Sequence, residues 1–99
     1  MNTPIQLQDL VAEIVHTYPS ASIEFDPLPS GVCFLWATVA DRNFSLEYDP
    51  KGGAGVSENL PNTPLFVGHD HGFHSLDEAI PFFKQMLAKA TEEALVLAH

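Results

Sequence analysis

The chain predicts an α+β fold: a single antiparallel sheet of four to five strands, with an N-terminal and a C-terminal helix packed on one face, in the order αβββββα. Three observations predict it. Apolar residues recur at helical spacing at both ends of the chain and at alternating spacing between them. The links between the alternating runs are short and rich in Pro, Gly, Asn and Asp, which favours hairpins and antiparallel pairing. The 99 residues suffice for one domain, 1–99, with one modest core.

The first helix starts at Thr3-Pro4-Ile5-Gln6, where Thr3 can cap, Pro4 suits the first helical position and Gln6 can complete a capping box. Leu7, Leu10, Val11, Ile14, Val15 and Tyr18 form its apolar stripe, and Pro19 ends it. Ser22-Ile23-Glu24-Phe25 alternates like a short edge strand, and Pro27 to Gly31 is a turn. Val32 to Ala40 is the strongest strand signal. Asp41-Arg42-Asn43 reads as a tight connection to a partner strand in which Phe44, Leu46 and Tyr48 alternate with Ser45 and Glu47. Asp49 to Gly53 is a further turn, and Ala54 to Glu58 a weaker strand with Val56 facing in. Two prolines make a loop of 59–64, and Leu65-Phe66-Val67 starts a last strand extending toward His71. Ser75-Leu76-Asp77-Glu78 is a second capping box, with two acids favoured by the helix dipole. Leu76, Ala79, Ile80, Phe83, Met86, Leu87 and Ala90 form the second stripe, Leu95 extends it, and Pro81 should bend the helix or tighten its first turn.

Charge narrows the function. The chain carries 13 acidic residues against 4 basic ones, a net charge of -9. Such a surface repels phosphate backbones and anionic lipid, so no nucleic acid and no membrane is expected as a partner. A basic protein is the partner it favours. The single cysteine, Cys33, lies in an apolar run and reads as a buried core thiol. No signal peptide or membrane span is visible, and a cytoplasmic location is the expectation.

Two features go beyond the fold. In the central strand Cys33, Leu35, Ala37 and Val39 point one way, and Val32, Phe34, Trp36 and Thr38 the other. Both sets are largely apolar, yet two helices cover one face. Either set can lie on the face left open, which suggests a protein contact, most simply a homodimer, and Val32, Phe34 and Trp36 are its candidate interface. The second feature is His69-Asp70-His71-Gly72-Phe73-His74. If 69–71 is extended, His69 and His71 share a side, and His74 returns after a glycine turn. A divalent metal on His69, His71 and His74 is one reading, polar surface at a strand end is another, and a proton-sensitive contact at about pH 6.5 is a third.

The segments Leu46-Glu47-Tyr48-Asp49-Pro50, Gly52 to Glu58, Gly68-His69-Asp70 and Phe73-His74-Ser75-Leu76-Asp77-Glu78-Ala79 resemble small uncharacterised bacterial α-β-α proteins, some of them similar to immunity proteins of toxin systems. The resemblance covers about half of the chain. It implies a binding protein without catalysis, with no catalytic residues to carry over. Two functional expectations follow: a non-enzymatic acidic interaction protein, dimeric and directed at a basic protein partner, or a small metal-binding or metal-dependent hydrolytic domain using the three histidines.

Overall fold

A computed structural model describes residues 4–59 and 71–97. The elements are α1 (Ile5–Thr17), β1 (Ser22–Pro27), β2 (Cys33–Val39), β3 (Arg42–Asp49), β4 (Gly53–Asn59), β5 (His71–Phe73) and α2 (Leu76–Leu97). The strands form one antiparallel sheet in the order β1-β2-β3-β4-β5, each beside its neighbour in the chain. This is the predicted αβββββα arrangement. The expected strand start at 65–67 lies outside the described residues.

Local chemistry sets the boundaries. Pro4 is the N-cap of α1 and not its first residue: its backbone is extended (ψ 134°), and its carbonyl accepts from the Leu7 and Gln8 amides. Thr3 lies outside the described residues. Tyr18, held out of helical geometry by Pro19, closes α1 by donating its amide to the Ile14 carbonyl. In the β2–β3 hairpin Val39 pairs with Arg42, so the turn is Ala40–Asp41 rather than 41–43. Both turn residues have positive φ, 53° and 63°, as a two-residue turn matched to strand twist requires. A non-glycine residue there costs about 1 kcal/mol. In the β3–β4 turn Asp49 accepts the Lys51 amide at Oδ1 and the Gly52 amide at its carbonyl. Gly53 follows at φ 89°, where a Cβ would run into the Phe73 carbonyl oxygen. Glycine there lets β5 close onto β4.

One hydrophobic core lies between the sheet and the helices. Leu7, Leu10 and Ile14 of α1 and Leu76, Ala79, Phe83, Leu87 and Ala90 of α2 are buried in it. The sheet contributes Cys33, Leu35, Ala37, Val39, Phe44, Leu46, Ala54 and Val56, all on the side facing the helices. Each large side chain removed from water here contributes about 1.5–3 kcal/mol. The helix α2 crosses β4, β3, β5 and β2. The helices run side by side in the same direction: Lys84 bonds Glu13 at 2.9 Å, and Gln6 and Asp9 share a groove with Asp77 and Ile80.

Two local expectations change. Val15 and Leu95, read as stripe residues, are exposed at 55% and 60%. Each sits one residue past the buried row, and 100° of helical rotation turns it to solvent. Pro81, expected to bend the helix or tighten its first turn, lies inside α2, which runs on through it. Its missing donor falls on the Asp77 carbonyl at an exposed position, where water can substitute.

Candidate binding surface on the helix-free face

The other side of the sheet carries no helix, and strand register determines what stands on it. From β2 come Phe34, Trp36 and Thr38. Opposite Phe34 are Asp26 of β1 and Glu47 of β3; opposite Trp36 are Glu24 and Ser45; opposite Thr38 are Ser22 and Asn43. Directly paired residues have Cβ atoms about 4.5–5.5 Å apart. Three carboxylates therefore border two aromatic rings. Those rings stack on each other, with centroids 5.4 Å apart and planes within 8°. Phe34 and Trp36 are thus brought together as expected. Val32 lies just before β2, half-buried, its carbonyl accepting the Leu28 amide at 2.8 Å across the turn.

The rest of the face is polar and tied down. Asn59 Nδ2 donates to Asn43 Oδ1 at 2.6 Å, and Asn43 Nδ2 donates to Thr38 Oγ1 at 2.9 Å. Ser45 and Ser57 are the buried polar residues among those described, small groups sheltered beside the aromatic pair's strand. Ser22, Glu24, Trp36, Thr38 and Asn43 line a shallow cleft of about 290 Å³. The expectation of a largely apolar open face thus holds for the ring pair, while the neighbouring strands surround it with carboxylates, amides and hydroxyls.

All four cations stand elsewhere. Lys51 is in the β3–β4 turn, Lys84 and Lys89 are on α2, and Arg42 points to the helix side. Arg42 donates from Nε and Nη2 to Glu58, both at 2.7 Å, and from Nη1 to Glu93 at 2.6 Å. It also lies 5.6 Å from the centre of the Phe44 ring. This fork clamps β3, β4 and α2 together. The hydrogen bonds from Arg42 hold the Glu58 carboxyl below the usual carboxylate range, and the two carboxylates hold the guanidinium firmly protonated.

The two described histidines of the cluster line different clefts. His71 packs on Phe82 at 4.5 Å between centroids and lines a cleft of about 440 Å³ with Arg42, Glu58, Met86 and Glu93. His74 lines a different cleft with Tyr48, Pro50 and Ser75. His69 lies outside the described residues. Among the described residues no group of three or more His, Cys, Asp or Glu side chains is placed to hold a metal ion. Cys33 is the buried thiol expected: its Sγ donates to the Gly31 carbonyl at 3.6 Å, and burial pushes its pKa up. No helix among the described residues is long and apolar enough to cross a membrane.

Sequence reasoning found Phe34 and Trp36 but not the carboxylate border. The signal was the hairpin: with a two-residue turn at 40–41, Trp36 falls opposite Ser45 and Leu35 opposite Leu46. The polar members of the third strand then mark the helix-free side. No family model matches the chain, and no curated protein and no solved structure matches it either.

Proposed function

We propose that this chain is a non-catalytic interaction module that takes a basic protein partner on the helix-free face of its sheet. The observation that carries this reading is the composition of that face: an aromatic pair bordered by Glu24, Asp26 and Glu47, with no Lys or Arg among its described residues. A cationic surface gains there from charge complementarity at encounter and from apolar contact once docked. The same composition disfavours the homodimer expectation on this face, because two copies would bring like-charged carboxylates together around a two-fold axis. The immunity-type resemblance implies a toxin as the basic partner.

The test uses the single tryptophan as its own reporter. A short peptide carrying four basic residues is titrated into the protein while Trp36 emission is followed. Binding should weaken about tenfold or more between 50 and 500 mM salt, as screening shortens the reach of the carboxylates. The triple variant Glu24→Gln, Asp26→Asn, Glu47→Gln should lose most of it. Binding that is indifferent to both changes overturns the proposal, as does a dimer in sedimentation that Trp36→Ala dissolves.

A further inference from the structure

We infer that the cleft beside Trp36 seats one arginine side chain of the partner, its guanidinium flat on the indole and bonded to Glu24; this rests on the binding reading above and names the anchor group. Phe34 stacks parallel against Trp36 and takes no part in lining the cleft, where Trp36 stands with Ser22, Glu24, Thr38 and Asn43. One side of the indole is therefore occupied by this chain, and the cleft leaves a side for a foreign group. Glu24 pairs directly across from Trp36, so its carboxylate stands within reach of a cation resting on the ring.

The remaining lining suits a planar, many-donor group. Guanidinium brings five N–H donors and no acceptor. The cleft offers the Glu24 carboxylate and the Ser22 and Thr38 hydroxyl oxygens as acceptors. Asn43 is held at both ends of its amide, by Asn59 and by Thr38, which fixes this lining residue before anything binds. Lysine fits less well. Its ammonium is a compact, strongly hydrated charge that neither stacks on the indole nor forks onto a carboxylate. An apolar ligand would find Trp36 as the sole apolar wall.

A second copy of the chain cannot supply the anchor. Arg42 is the one arginine in the sequence, and it is engaged with Glu58 and Glu93 on the helix side. The occupant is therefore an arginine-bearing segment of a different protein.

The experiment compares a four-arginine peptide with its four-lysine counterpart of equal length and charge, each carrying a fluorophore read by anisotropy. The arginine peptide should bind about fivefold tighter to the intact protein and shift Trp36 emission. Glu24→Gln and Trp36→Leu, each checked for an unchanged far-ultraviolet spectrum, should reduce that ratio to about one, while Glu78→Gln on α2 should leave it unchanged. Equal binding of both peptides, still weakened by the triple carboxylate variant, overturns the arginine seat and keeps the docking face. Binding of neither peptide overturns the docking face as well.

Discussion

The two faces of the sheet share a central strand and differ in almost everything else. On the helix side Cys33, Leu35, Ala37 and Val39 meet further apolar groups from β3, β4 and both helices, and 16 of the described residues are hydrophobic and buried there. On the open side Phe34 and Trp36 meet Asp26, Glu47, Glu24 and Ser45. The strand's own residues are about equally apolar on both sides. What separates core from surface is the company each set keeps across the ladder. An apolar residue in a strand becomes core only when its cross-strand neighbours and an opposing layer are apolar too. Where the neighbours are charged, the same kind of residue stays half-buried at the surface.

The sharpest way to break this contrast is to truncate one aromatic on each side. Phe83→Ala should cost about 3–5 kcal/mol, a large share of a total stability on the order of 5–15 kcal/mol. Trp36→Ala should cost about 1–2 kcal/mol, because a half-buried ring stacked on one neighbour forfeits less. Urea unfolding followed by circular dichroism reads both. Equal losses would mean that the open-face pair is core after all.

Next in size is Gly53→Ala. The left-handed backbone and the Phe73 carbonyl together leave no room for a methyl group, so the change should cost about 2–4 kcal/mol. Hydrogen exchange should show β5 loosening first, since the clash lies where β5 closes onto β4. A variant as stable as the parent would mean that this edge adjusts freely.

The Arg42 clamp tests the rim of the helix side. A double-mutant cycle of Arg42→Met and Glu58→Gln should return a coupling of about 1 kcal/mol, since the pair is forked but partly solvated. The pH dependence has a definite sign. The folded Glu58 pKa lies below its unfolded value, so this contribution is fully present above the unfolded carboxyl pKa and is lost as pH falls through the folded one. Arg42→Met should therefore flatten the acid limb of the stability curve. An unaltered limb would remove the clamp from the account.

The smallest effect has the opposite sign. Ala40→Asn with Asp41→Gly installs residues that accept positive φ, and should stabilise the hairpin by about 0.5–1 kcal/mol without touching either face. Peptide binding by the stabilised variant should match the parent. A change in binding would show that the hairpin geometry tunes the open face.

Much of this was legible in the chain itself. The alternating and helical periods located both helices and the first four strands, because burying one face of each element imposes those periods. The burial of Cys33 followed from its apolar run, whereas both sets of β2 side chains were apolar enough to be the one that the helices cover. The carboxylate border was less legible. It depends on register, and register depended on whether the hairpin turned at 40–41 or at 41–43. One residue of slip carries every side chain of a strand to the opposite face. Val15 and Leu95 show the helical version of the same sensitivity: one residue off the stripe is a rotation of 100° into water.

What the sequence determined by itself is local: the period of each segment, the turns that Pro, Gly and Asp impose, the acidity of the surface, and hence the αβββββα order. Only the tertiary structure decided which side of β2 became core and which three acids came to border its half-buried rings. Those outcomes are properties of pairs of strands and of the layer packed against them, and no single segment contains them.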